Sequence, residues 1–116
     1  MNLYDLHTNK KELLGGNLNT DKIFVISKIN NLHESRDRFD INTIIDIIQD
    51  YDMNNDKDIE NAILQMGRNA DKNARELYLI IQYCRYIKQG AWDEAQQILA
   101  GTKYEQYYLD LVRDEL

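Results

Sequence analysis

The sequence predicts an all-α fold, a small bundle of about five to six helices, from three features of the chain. Apolar residues recur at i, i+3, i+4 and i+7 along most of it, proline is absent, and the periodic stretches are joined by only a few polar residues. Each feature favours helix: the spacing stacks apolar side chains on one helical face, and a chain without proline has no obligatory helix stop.

Residues 1–19 place Leu3, Leu6, Leu13 and Leu14 among polar neighbours and contain Gly15-Gly16, which reads as a loosely packed arm closed by a turn. Thr20-Asp21 supplies an N-cap signal ahead of Ile23, Ile26, Ile29 and Leu32. Ile23 to Ile26 would also make a short buried strand, but Ser27 and Lys28 keep a helical spacing. A polar link from His33 to Asp40 leads into a second helix carrying Ile41, Ile44, Ile45, Ile48 and Tyr51, with Asn42 as its expected cap. Beyond the acidic turn Asp52 to Asp58, Ile59, Ala62, Ile63 and Met66 repeat the amphipathic pattern. Asp71 is then expected to cap a long helix through Leu77, Ile80, Ile81, Cys84 and Ile87 that stops at Gly90 in a left-handed turn. A short helix opens at Ala91-Trp92 and ends at Ala100-Gly101, and a last one carries Tyr104, Tyr107, Tyr108, Leu111 and Val112. Connections this short imply antiparallel neighbours, so residues 71–116 read as a repeat-like hairpin plus a final helix within one domain spanning 1–116.

With 43% hydrophobic and 29% charged residues the chain has the balance of a folded domain, and at 116 residues it can bury a core without metals or disulfides. Its net charge of −6 comes without any basic stripe, which argues against direct nucleic-acid binding through phosphate neutralisation. The acids read as a solvated surface or as a face for a basic partner. Cys84 is the only cysteine, so no intramolecular disulfide can form, and a reducing, cytoplasmic setting is expected. Met1 to Gly16 has no apolar core of a secretion signal, and no run approaches the roughly 18 apolar residues of a membrane span. Abundant Asn, Asp, Ile and Lys match the bias of A/T-rich bacterial and phage genomes.

No residue pattern specifies catalysis or a cofactor. His7 and His33 lie in polar stretches without ligand spacing, and Gly15-Gly16 lacks the lysine and hydroxyl of a phosphate-cradling loop. Cys84 sits among Ile80, Ile81 and Ile87 as a small hydrophobe, away from any helix N-terminus that would activate a thiol. Asp52, Asn54, Asp56 and Asp58 match the early oxygen ligands of a calcium loop. Lys57 replaces the turn glycine and Ile63 the closing glutamate, so an acidic interhelical turn is the preferred reading.

Tyrosine carries the strongest functional signal. Of eight in the chain, Tyr78, Tyr83, Tyr86, Tyr104, Tyr107 and Tyr108 crowd the C-terminal half around Trp92, more than two helices can turn inward. Such residues either pack with hydroxyls in water or form a binding face for a protein partner or a second copy of the chain.

The run Tyr83 to Leu99 resembles the helix–turn–helix core of a tetratricopeptide repeat: an aromatic, Tyr86, four residues before Gly90, a second, Trp92, two after it, and Ala95 five after it, with Leu99 as the next large residue. The glycine permits reversal, the alanine lets helices approach, and the aromatics fill the wedge. No proline ends the second helix and no second copy follows, so a long solenoid is not implied. The same stretch is similar to short helical repeats of bacteriophage and viral proteins and to the small chaperones of type III secretion needle subunits. The resemblance implies a non-enzymatic adaptor, chaperone or inhibitor; the acidic charge admits an alternative, an inhibitor of a basic nucleic-acid-handling enzyme.

Overall fold

Residues 18–34 and 39–115 are described by a computed structural model, and among them stand six α-helices and no strand. These are α1 (Leu18–Asn30), α2 (Phe39–Asp50), α3 (Lys57–Asn69), α4 (Tyr78–Tyr83), α5 (Asp93–Leu99) and α6 (Glu105–Glu115). A 3₁₀ turn, Leu32–Glu34, follows α1; a second, Arg75–Leu77, runs straight into α4, which then widens into a π-helical segment, Cys84–Lys88. The all-α expectation holds. No described helix is long and apolar enough to cross a membrane.

Four helices close around the main core: α1 packs on α2 and α3, and α4 completes the circuit by touching the same two. On α2, Ile41, Ile44, Ile45, Ile47 and Ile48 are all buried, a stripe wide enough to face two neighbours at once. The buried stripe of α1 runs through Asp21, Val25 and Ile29 into Leu32, whereas Ile23 is 67% exposed. Of the expected row, Ile29 and Leu32 are buried and Ile26 packs against the core, so only Ile23 falls outside it, and the i, i+4 positions Asp21 and Val25 complete the buried face. Residues 23–26 are helical, not extended.

The helix starts differ from the sequence reading in ways that have local causes. α1 is already helical at Leu18, so Thr20 and Asp21 lie in its first turn, where the Asp21 carboxylate meets the positive end of the helix dipole. α2 begins at Phe39, and Asn42 caps nothing: its Oδ1 accepts a 3.3 Å hydrogen bond from Gln82 Nε2, tying α2 to α4. Asp71 is exposed in a turn closed by its own carbonyl, which accepts from the Ala74 N–H at 3.0 Å, and the helical run starts only at Arg75. Leu3, Leu6, Leu13 and Leu14 of the expected arm, the pair Gly15-Gly16 and His7 lie outside the described residues.

Gly67 sets the meeting of three helices. A Cβ built there would stand 2.7 Å from Ile80 Cδ1 and 3.0 Å from Ile98 Cγ2, so α4 and α5 approach α3 over a missing side chain. Consequently α5 rests chiefly on α3, and α6 on α5. The expected stack of successive antiparallel neighbours gives way to packing on a helix earlier in the chain. The turn after the π-helical segment also differs: Gln89, at φ 55° and ψ 44°, takes the left-handed conformation expected of Gly90. The N–H groups of Gln89 and Gly90 both donate to the Cys84 carbonyl, which ends the widened helix one residue early.

Candidate functional site

The aromatic residues that the sequence singles out divide into an interior set and an outer set. Tyr83, Trp92, Tyr104 and Tyr108 are buried, so they do not present a contact face as expected. Tyr83 and Trp92 pack with ring centroids 5.2 Å apart. From α6 the Tyr108 hydroxyl reaches the backbone of Trp92, accepting from its N–H at 2.9 Å and donating to its carbonyl at 3.4 Å. The hydroxyl thus satisfies the buried Trp92 N–H, which would otherwise be left without a partner at considerable cost, and adds to a carbonyl that already accepts from the Gln96 N–H at 2.9 Å. Tyr108 is a clasp across the turn between the π-helical segment and α5.

A polar cluster ties the same turn to α3. Glu60, in the first turn of α3, is only 4% exposed, and its Oε2 accepts from the Tyr83 hydroxyl at 2.9 Å and pairs with Lys88 Nζ at 3.0 Å. The Tyr83 oxygen in turn accepts from the Asn55 N–H at 3.2 Å, and Lys88 Nζ lies 5.2 Å from the centre of the Trp92 ring. Burial first, then the neighbouring Glu60 carboxylate, push the Tyr83 phenol well above its ordinary range. The buried Glu60 carboxylate is thus both paired with a cation and hydrogen-bonded, as buried ionic groups require. The arrangement ties the turn to α3.

The outer set is smaller. Tyr107 is 56% exposed and stands 6.0 Å from Tyr104, which lies 6.2 Å from the half-buried Tyr78. These three rings form a ridge from the start of α4 to the first turn of α6, with Lys103 Nζ 5.2 Å over the Tyr104 ring. Tyr86, 44% exposed, stands apart on the π-helical segment and lines a groove of about 430 Å³ with Asn42, Ile45, Asp46, Gln49 and Gln82. Larger by volume, at about 530 Å³, is an open polar depression lined by Asn30, His33, Gln65, Asn69, Asp71 and Glu76 among others. His33 is exposed there and 3.5 Å from its neighbour Glu34.

The acidic turn is engaged by protein groups. Asp56 caps α3, its Oδ1 accepting from the N–H groups of Asp58 at 2.9 Å and Ile59 at 3.2 Å. Lys22 of α1 sets its ammonium 3.3 Å from Asp56 Oδ2 and 2.9 Å from Asp58 Oδ2. Asp52 and Asn54 are exposed, and the backbone turns left-handed at Asp52 and Asn55. A lysine therefore meets the carboxylates that a calcium loop would turn on its ion, and among the described residues no three His, Cys, Asp or Glu side chains gather as a metal shell. Cys84 is fully buried, and burial pushes its thiol up to about 12.

Comparison with known proteins finds no matching family model, no matching curated protein and no matching solved structure. Glu60, Lys88 and Lys22 carry no signal in the sequence, because a charge on an amphipathic helix has no visible partner until the chain folds. Gly67 had a signal: a glycine inside a helix costs about 1 kcal/mol relative to alanine, and such a residue points to close packing.

Proposed function

We propose that this chain is a non-enzymatic protein-binding module, an adaptor, chaperone or inhibitor, that meets its partner through exposed tyrosine. The observation that carries the reading is the ridge Tyr78–Tyr104–Tyr107, in which an exposed ring is backed by a buried one. Rings held by their neighbours lose little freedom on binding and cover much area, the property that enriches tyrosine at binding hot spots. The buried Trp92, Ala95 and Leu99 fit the resemblance to a single tetratricopeptide-like hairpin, while the outward Tyr86 and the seat of α5 on α3 depart from it.

The test is affinity purification from native cells with wild-type protein and with Tyr107→Ala, the bound proteins being identified by mass spectrometry. A stoichiometric partner that survives high salt and is lost in the variant, with helicity unchanged by circular dichroism, is expected. Retention by the variant overturns the ridge, and sedimentation as a dimer with no foreign partner turns the reading to self-association.

A second reading, an acidic inhibitor of a basic nucleic-acid-handling protein, is favoured by α2, which carries Asp40, Asp46 and Asp50 and no lysine or arginine. It requires binding that collapses as salt shortens the screening length to about 10 Å at 0.1 M.

A further inference from the structure

We propose that the groove between α2 and the π-helical segment is a seat for an arginine side chain of a protein partner, an inference that rests on the protein-binding reading and names the chemistry of one contact. The groove, about 430 Å³, is lined by Asn42, Ile45, Asp46, Gln49, Gln82 and Tyr86. Four of these six are polar or charged and one is an exposed aromatic, so an apolar side chain finds little there to bury against.

The lining asks for a cation. Asp46 is exposed, and its carboxylate makes no hydrogen bond or ion pair with any described residue. One turn further on, the exposed Asp50 repeats the charge, and α2 ends with no basic residue in its last turn. Like charges at i, i+4 repel, and an acid near the negative end of a helix dipole is disfavoured. A partner's cation relieves both. The nearby guanidinium of Arg85 is directed to Gln82 Oε1 at 3.3 Å, and Gln82 Nε2 is spent on Asn42. With its Nε2 donated to the Tyr86 carbonyl at 3.5 Å, Gln49 keeps its Oε1 as an acceptor in the groove that Asp46 also lines.

Arginine fits this set better than lysine. Its flat guanidinium can fork onto a carboxylate while stacking on an aromatic face, and it is more weakly hydrated than an ammonium. Tyr86 supplies that face from within the π-helical segment, a rare form of backbone that is frequent at functional sites.

The probe is the blocked tripeptide Gly-Arg-Gly, titrated into the ¹⁵N-labelled full chain and followed by amide chemical shifts, with Gly-Lys-Gly and Gly-citrulline-Gly as comparators. Saturable shifts confined to Asn42, Asp46, Gln49 and Tyr86, with a Kd on the order of millimolar, are expected for a single anchor. Lysine should bind more weakly and citrulline not at all. Asp46→Asn should weaken the arginine peptide roughly three- to fivefold, the range of an exposed ion pair, and Tyr86→Ala should weaken it as well. Equal response to lysine, shifts spread over every exposed carboxylate without saturation, or an unchanged Asp46→Asn overturns the assignment. Tyr107→Ala should bind the tripeptide as wild type does. A groove that ignores arginine while the chain still captures a partner through Tyr107 overturns this inference alone, and a groove that binds arginine in a chain that captures no protein overturns the protein-binding reading instead.

Discussion

The chain is held together by two different chemistries in its two halves. From α1 to α3 the interior is aliphatic, with Val25, Ile29, five isoleucines of α2, Ile59 and Ile63 buried. From α4 to α6 the aliphatic interior continues through Leu79, Ile80, Ile81 and Leu99, but a hydrogen-bonded aromatic set is added to it: Tyr83 packs on Trp92, and the Tyr83 and Tyr108 hydroxyls close on Glu60 and on the Trp92 backbone. The aliphatic half needs only the right apolar row, so a neighbouring isoleucine can replace another at modest cost. The aromatic half needs each hydroxyl to land on its acceptor or donor, so a single oxygen matters. Tyr83 and Tyr108, which look like a binding surface in the sequence, are in this sense internal fasteners, and the tyrosines of this half that reach the surface are Tyr78, Tyr86 and Tyr107.

That contrast can be broken most directly at Tyr108. Tyr108→Ala should lower the unfolding free energy by about 3–5 kcal/mol, as loss of a buried aromatic does. Tyr108→Phe keeps the ring and leaves the Trp92 N–H unmade, for a loss of about 1–3 kcal/mol in urea titration. Ile48→Val in the aliphatic half should cost only about 0.5–1.5 kcal/mol by the same measurement. Equal losses for Ile48→Val and Tyr108→Phe with no change in cooperativity would remove the distinction.

Alkaline titration sharpens it further. Burial pushes Cys84 from 9.0 up to about 12 and raises Tyr83 and Tyr108 as well, and all three are neutral when protonated. The unfolded chain ionises first, so their contribution is complete below pH 9 and drains away as pH rises toward 12. Denaturant midpoints should hold steady through neutrality and fall above pH 9, and the native thiol should resist iodoacetamide until the chain opens.

At a turn within each half the expected effects are smaller. Gln89→Gly relieves a left-handed conformation that side chains disfavour and should raise stability by up to about 1 kcal/mol. Asp56→Ala removes the cap of α3 and should cost about 1 kcal/mol. Tyr107→Ala should leave the denaturation curve where it is, because its ring is largely in water.

Much of this architecture was legible before folding. The isoleucines of α2 stand at the spacing of a buried face, and Ile59 and Ile63 mark α3 with equal clarity. In α1, Ile29 and Leu32 are equally legible, but Ile23, Phe24, Val25 and Ile26 are apolar in succession and periodicity alone cannot show that Val25 is buried and Ile23 exposed. The expected caps at Asn42 and Asp71 failed for a related reason: Asn and Asp are equally good turn residues and hydrogen-bond partners, and only the neighbours decide which role is filled.

By itself the sequence determined that this chain is helical, roughly where its helices lie, and that its C-terminal half is rich in tyrosine. Only the tertiary structure decided which tyrosines face inward, that Lys22 meets Asp56 and Asp58, and that Glu60 finds Lys88 and Tyr83. The reason is physical. Helical periodicity is a local property written in every few residues, whereas a tyrosine, with an apolar ring and a polar tip, suits a core and a surface alike until distant helices supply or withhold a partner for its hydroxyl.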